Sequence, residues 1–278
     1  MWINVAVIVS DKKWATLSAR HVFDFRGLVR YSRVISSTDF ERVSPDLVLA
    51  KISDSPEWRD ELSGYDGSAQ VASVESQLVV HDRWLTYGRL KDRVRLPETR
   101  YIESEEETEF NGKVILKTSR ACGPTQSHLM LITESRDKAF EFFDSVKEPI
   151  IIQAFIPHDK FFLKVFVIGD QVFAFRRDSV DSDTSDPFSS QDIGKTSKDQ
   201  VIPIEDPELL STIREISRKC VETLEFSLMG LDFIQESESQ DLYLVDVNYF
   251  PTFSELGAQL GPLLDEFCYQ FVVAKIGI

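Results

Sequence analysis

Two apolar runs, Gly230-Leu231-Asp232-Phe233-Ile234 and Leu244-Val245-Asp246-Val247-Asn248, each carry one carboxylate, and the polar stretch Gln235 to Asp241 joins them. Short apolar runs linked by a polar turn segment read as a β-hairpin. With Glu236 and Leu242 flanking a five-residue loop, the register sets Asp232 directly across from Asp246. The two-residue period of a strand then places Asn248 on the same face as Asp246. Like charges opposite one another repel, and ionised carboxylates among apolar neighbours are costly, so a cation between them relieves both penalties. Hard oxygen donors on a rigid hairpin suit magnesium carrying phosphates. A solvated hairpin with incidental acids is the alternative, and a one-residue slip separates the pair.

At 278 residues and 42% hydrophobic content the chain can bury a sizeable core, as one large domain or as two to three lobes. No apolar run approaches the roughly 20 residues of a membrane-spanning helix. Met1-Trp2-Ile3-Asn4 leads into a strand without a basic signal-peptide head, so the expected location is cytoplasmic, with the nucleus also open. A formal charge of −15 argues against nucleic acid or an anionic membrane as partner, because both need a broad basic face. An anionic ligand must therefore be met by a local basic cluster. Cys122, Cys220 and Cys268 are odd in number and far apart, which fits reduced thiols rather than a disulfide framework or metal spacing. No internal repeat is present and nothing specifies an oligomeric state, so a monomer is the expectation.

Ile3 to Val9 reads as a strand, and Trp14, Leu17, Ala19, Val22 and Phe23 recur at helical spacing, predicting a helix from Lys12 to about Arg30. Strands at Arg33 to Ser36 and Asp46 to Ile52 and a helical turn at Pro56 to Leu62 complete a small open α/β lobe. Asp82 caps a helix to about Asp92, and Pro97 closes it. The middle lobe reads as extended Glu98 to Ile102, strand Lys113 to Thr118, helix Thr133 to Lys147 and strand Pro149 to Ile156. Phe161 to Ile168 and Gln171 to Arg177 then form a hairpin around Gly169-Asp170, a pair suited to a two-residue turn. Asp178 to Gln200, rich in Ser and Asp, is expected to be a mobile loop. Asp206 to Leu224 is an amphipathic helix, and Gly261-Pro262 is expected to interrupt a closing helix from about Ala258 to Ala274. The fold class is α/β (α+β), with lobes at 1–92, 93–156 and 157–278.

The hairpin around Gly169-Asp170 pairs Lys164 with Phe175 and makes Arg177 its same-face diagonal neighbour, while Arg176 points the other way. Two cations converging among Phe162, Phe166, Phe173 and Phe175 repel unless an anion bridges them, as a phosphate would. Defence of an edge strand by basic residues is the alternative. Lys117 sits inside Val114-Ile115-Leu116-Lys117-Thr118, where an ammonium needs a partner, and a nucleotide phosphate is one. Lys12, Lys13 and Lys51 follow strand ends, where ligands gather in open α/β lobes, though each reads equally as a rim lysine. His128 ends a polar loop and reads equally as an anion contact or a surface histidine. Ile150 to Ile156 can offer backbone groups to an adenine edge and side chains to its face, although core packing explains the same residues. No Walker or dinucleotide fingerprint appears.

Taken together, Lys117, Gln153, Lys164, Arg177, Asp232, Asp246 and Asn248 resemble the ATP-grasp fold and, within it, the inositol 1,3,4-trisphosphate 5/6-kinase (inositol-tetrakisphosphate 1-kinase) family. The strings that carry the resemblance are Leu116-Lys117-Thr118, Cys122-Gly123 through Ser127-His128, Gln153-Ala154-Phe155-Ile156-Pro157-His158, Leu163-Lys164-Val165-Phe166-Val167-Ile168-Gly169, Gly230-Leu231-Asp232 and Asp246-Val247-Asn248-Tyr249-Phe250-Pro251. It is strongest from about Lys113 to Glu255. What it implies is an N-terminal lobe plus two lobes clasping ATP, and transfer of the γ-phosphoryl group to a hydroxyl of an inositol tris- or tetrakisphosphate.

By the same resemblance Asp232, Asp246 and Asn248 hold magnesium, Lys117 binds the α and β phosphates and Arg83 approaches the nucleotide tail. Gln153, Ala154, Phe155, Ile156 and Ser179 line the nucleotide slot. Lys12 or Lys13, Lys51, Gly123, His128, Lys164, Arg177, Asn248 and Thr252 meet the acceptor, with Lys117, His128 and Lys164 nearest the chemistry. Such roles suit phosphoryl transfer, which needs charge neutralisation and alignment more than covalent help. No assured general base stands out. Cys122 precedes Gly123 where the family usually has a phosphate-contacting histidine, the loop to His128 is one residue longer, and Thr252 follows Phe250-Pro251 where glycine is usual. These departures alter the acceptor pocket and leave the metal set intact.

Two other classes would use the same residues. A carboxylate–amine ligase of the ATP-grasp type differs in its acceptor, and the basic set favours a multiply phosphorylated one over a lone carboxylate. A non-catalytic nucleotide or inositol phosphate sensor would keep the fold without turnover, against which the intact Asp232, Asp246 and Asn248 set counts.

Overall fold

The computed structural model describes residues 2–24, 27–65, 69–104, 109–122, 125–179, 186–189 and 201–276. It begins with a parallel sheet in the order β2-β1-β3-β4, formed by β1 (Ile3–Ile8), β2 (Val29–Arg33), β3 (Leu47–Ala50) and β4 (Ala69–Gln70). Both faces of this sheet are covered, which explains the apolar run Val5 to Ile8 of β1: Val5 and Val7 enter one core, Ala6 and Ile8 another. The helices here are α1 (Asp11–Ser18), α2 (Ser37–Val43), α3 (Arg59–Ser63) after a 3-10 turn at Pro56–Trp58, α4 (Val74–Val80) and α5 (Arg83–Leu90). Asp82 caps α5 by accepting from the Trp84 and Leu85 amides.

Several expectations for this lobe are corrected. The helix from Lys12 ends at Ser18, because His21 takes a left-handed φ of 56° and the Val22 amide turns back to Leu17 O at 3.1 Å. Val22 is thus buried and Phe23 partly buried from a turn, Phe23 stacking on Trp14 at 4.7 Å, and burial from a turn mimicked helical spacing. The second strand lies at Val29–Arg33 rather than Arg33 to Ser36, since Ser36 caps α2 through the Asp39 amide. Neither α2, α4 nor β4 was anticipated.

The second sheet is antiparallel, β11-β7-β6-β8-β5, comprising β5 (Thr99–Ile102), β6 (Val114–Thr118), β7 (Leu129–Thr133), β8 (Ile150–Ala154) and β11 (Phe188–Ser189), with α6 (Arg136–Val146) against it. The start of α6 at Arg136 corrects the expected start at Thr133, which closes β7. Of the segment expected to be a mobile loop, residues 180–185 and 190–200 lie outside the described residues.

The third sheet, β12-β10-β9-β13-β14, contains β9 (Phe161–Ile168), β10 (Gln171–Asp178), β12 (Ile202–Pro203), β13 (Leu228–Gln235) and β14 (Leu242–Tyr249). Gly169, at φ 61°, makes the two-residue turn, and Lys164 pairs with Phe175 as expected. Asp232 also pairs with Asp246, but by another route: Gln235 meets Leu242, so the loop is one residue longer than expected, and a bulge between Asp232 and Phe233 restores the register. Because β13 pairs with β9 as well, Lys164 lies opposite Asp232, and Phe175, Lys164, Asp232 and Asp246 form one row across four strands.

Helix α7 (Pro207–Leu224) and helix α8 (Leu260–Ile276) complete the chain. Pro262 does not interrupt α8; it falls in the first turn, where its missing N–H has no intrahelical partner to lose. One buried cluster runs from the first sheet through α8 to the third sheet, with Val5, Phe166 and Leu264 among its members. Among the described residues no helix is long and apolar enough to cross a membrane.

Candidate active site

The sheets converge on a cleft of about 480 Å³. Its floor is the charged row on the third sheet. Lys164 Nζ donates to Asp232 Oδ1 at 2.6 Å, Asn248 Nδ2 donates to Asp246 Oδ2 at 2.8 Å, and Arg83 Nε lies 3.5 Å from Asp246 Oδ1. Burial first of all, with Asp246 adding to it and Lys164 opposing, holds the Asp232 carboxyl above the usual carboxylate range. Burial also works against the Lys164 ammonium, yet Asp232, with Asp246 and Glu255 behind it, outweighs that and raises its pKa. Part of the charge compensation that the two acids need therefore comes from protein cations flanking the pair, Lys164 beside Asp232 and Arg83 beside Asp246.

Across the cleft, Lys117 Nζ donates to Gln153 Oε1 at 2.9 Å and to the Val245 carbonyl at 3.2 Å, both uncharged acceptors. Burial brings this ammonium down to a pKa of about 8 despite the pull of Asp246. Arg83, at the start of α5, is anchored by Nη1 on the carbonyls of Thr118 and Arg120, each at 2.8 Å. Gln153 is fixed by its amide nitrogen on Thr99 Oγ1 at 3.1 Å. The Ala154 and Phe155 amides donate to Glu98 O and Lys113 O, so these two residues present side chains to the slot and not backbone donors. Ile115, Met130, Ile132 and Ile234 add apolar walls. Met130 and Ile132 belong to β7, a strand the sequence reading did not assign between the loop ending at His128 and the helix expected from Thr133, although the apolar run Leu129 to Ile132 is its signal. Ser179 also lines the cleft and bonds His158 Nε2 at 2.9 Å.

The remaining wall is Pro251, Thr252, Phe253, Ser254 and Glu255 together with Arg177 and His128. Phe250 and Phe253 take left-handed φ values of 41° and 50° to form this turn. Gly230 lies beneath it, where a Cβ would come within 3.2 Å of the Pro251 ring. Glu255, which the sequence reading passed over, accepts from Arg177 Nη1 at 3.0 Å. The anion expected to bridge Lys164 and Arg177 is thus replaced by separate carboxylates, Asp232 and Glu255. Burial lowers the pKa of His128 and pushes the Cys122 thiol up, so Cys122 stands as a neutral group.

Lys12, Lys13 and Lys51 do not line the cleft. Lys12 is exposed, while Lys13 is buried, donates to the Phe250 carbonyl and sits 4.3 Å from that ring. With Arg20, which donates to Thr252 O at 2.6 Å and Phe253 O at 2.9 Å, it ties α1 to the turn. Lys51 Nζ lies 3.9 Å from Asp54. Gly123 is outside the described residues.

A family model described as the inositol 1,3,4-trisphosphate 5/6-kinase ATP-grasp domain matches residues 94–269. Inositol-tetrakisphosphate 1-kinase 1 of Arabidopsis thaliana is 29% identical over 185 residues, which are 60% of this chain and 56% of the relative. Inositol-tetrakisphosphate 1-kinase of Danio rerio is 30% identical over 141 residues, 46% of this chain and 35% of the relative. The chain thus spans about half or less of the length of these two curated relatives. Among solved structures, D-alanine–D-alanine ligase from Bacillus anthracis superposes with a TM-score of 0.71 over 99% of both chains at 12% identity. VanG D-Ala:D-Ser ligase from Enterococcus faecalis gives 0.67 over 98% of this chain and 100% of that one at 13% identity. Likeness at such identity carries the fold alone, and that fold is ATP-grasp: a parallel N-terminal α/β sheet and two antiparallel sheets.

Proposed function

This chain belongs to the inositol 1,3,4-trisphosphate 5/6-kinase ATP-grasp family, and from that premise we propose that it transfers the γ-phosphoryl group of ATP, with magnesium, to a hydroxyl of an inositol polyphosphate. The observation that carries the reading is the row Lys164, Asp232, Asp246 on the cleft floor, with Lys117 facing it. We assign the metal to Asp232, Asp246 and Asn248. The donor set fits such an ion: two facing carboxylates, whose burial and mutual repulsion a cation between them would relieve, and an amide oxygen two residues along the same strand. Bound there, magnesium would offset the charge of the triphosphate.

The chain's own groups would do the rest. Lys117 can exchange its neutral partners for phosphate oxygens without breaking an ion pair. Gln153 to Ile156 would hold the base against apolar walls, and Ser179 would close that slot. Lys164 would orient the acceptor beside the row, with His128, Arg177 and Thr252 along the acceptor wall. Lys12, Lys13 and Lys51 would act at a distance, Lys13 by fixing the Phe250 turn. Alignment and charge compensation of this kind account for most of the catalysis in phosphoryl transfer. We further propose lobes at 1–92, 93–156 and 157–278, a monomeric state and a cytoplasmic or nuclear setting.

The test is magnesium-dependent ATP consumption with a panel of inositol polyphosphates, run beside a panel of carboxylates and amines. Stimulation by inositol phosphates supports the kinase. Stimulation by none of them removes it, and activity with a carboxylate and an amine would favour the ligase.

A further inference from the structure

The Arg177–Glu255 pair lies on the acceptor wall of the cleft and is too well built to be incidental. Glu255 has only 3% of its side chain exposed, and both its oxygens are engaged: Oε1 by Arg177 Nη1 at 3.0 Å, Oε2 by the Ser254 hydroxyl at 2.6 Å. Arg177 itself is three-quarters buried. A carboxylate fixed in this way cannot swing out of the cleft when an anion arrives. It also faces Lys164 closely enough to favour that ammonium's charged form.

We propose that Glu255 is a specificity-determining residue that cancels the charge of Arg177, so that the ring position facing this pair must carry a free hydroxyl and not a phosphate. The inference rests on the kinase reading and narrows it to acceptors at the less phosphorylated end of the inositol phosphates. A hydroxyl can donate to the carboxylate and accept from the guanidinium, and so satisfies both members. A phosphate brings close to two negative charges against a buried carboxylate, and like charges a few ångströms apart at a partly buried site repel strongly. The other cations of the cleft are already engaged, Lys164 by Asp232, Arg83 by Asp246 and the Thr118 and Arg120 carbonyls, and Lys117 across the cleft by Gln153 and the Val245 carbonyl, while Lys13 and Lys51 lie outside it.

The test compares KM values of the 278-residue chain for inositol phosphates carrying from two to five phosphates, at fixed saturating magnesium and ATP. In the parent protein KM is expected to be lowest among the less phosphorylated members and to rise about tenfold or more on adding a phosphate at the position facing the pair. Glu255→Gln, checked for folding by its thermal midpoint, is expected to reverse that preference by about tenfold and to steepen the salt dependence of KM for the more phosphorylated acceptors. A parent KM that falls steadily as phosphates are added would overturn the inference. So would an equal loss of kcat for every acceptor in Glu255→Gln with the KM order intact, which would mark a proton acceptor. If no inositol phosphate stimulates ATP consumption, the kinase reading falls first and the inference with it.

Discussion

The two ends of the cleft hold their cations in opposite ways. At the end we assign to the nucleotide, Lys117 rests on a side-chain amide and a backbone carbonyl, and burial has already drawn its pKa down to about 8. At the end we assign to the acceptor, Lys164 rests on Asp232 and Arg177 on Glu255, and the Lys164 ammonium is stabilised above its ordinary value. The first end is a charge awaiting a counter-ion. The second is balanced internally, so an anion entering there competes with carboxylates already in place. The difference teaches that counting cations around a cleft overstates its appetite for phosphate unless their existing partners are counted too.

The sharpest way to break this comparison is through the acid that both ends share. Asp246→Ala is expected to lower turnover by at least about a thousandfold while leaving the thermal midpoint close to the parent's, as measured by ATP consumption and thermal unfolding; retained turnover would deny the row a role in the chemistry. Lys117→Met should weaken nucleotide binding by roughly ten- to a hundredfold in calorimetry and change acceptor KM little. The same measurement across pH sharpens the point. Phosphate binding favours the charged ammonium, so nucleotide affinity should be level below pH 8 and fall as pH rises through about 8, and Lys117→Met should lose that fall.

Lys164→Met is expected to raise acceptor KM by about tenfold and flatten its salt dependence. It should also destabilise the fold by about 3 kcal/mol by leaving Asp232 buried and unpaired, whereas Lys117→Met, which strands no charge, should not. Equal stability effects would erase the contrast. The smallest effect is expected from Gly230→Ala, which presses on the Pro251 ring and should cost about 1 kcal/mol in denaturant unfolding.

Much of the third sheet was legible because local turn chemistry fixes register: Gly169-Asp170 set Lys164 against Phe175. The Asp232–Asp246 pairing was legible only because two errors cancelled, a loop one residue longer and a bulge on the same hairpin. What periodicity could not reveal was the neighbour across the next ladder. No local signal states that β9 runs beside β13, so the Lys164–Asp232 pair was invisible even though each residue was singled out. Glu255 was missed for a similar reason, since its approach to Arg177 depends on the left-handed turn at Phe250 and Phe253, held by Lys13 and Arg20 from the first lobe. The helix misread beyond Ser18 and the overlooked β7 show the converse, in which apolar spacing reports burial without saying which element supplies it.

The most direct measurement is the mass of the acceptor after incubation with magnesium, ATP and the chain. The row of Lys164, Asp232 and Asp246 predicts that an inositol phosphate gains one phosphate for each ADP released and that Asp246→Ala gains none. ADP release with every inositol phosphate left at its starting mass would contradict it.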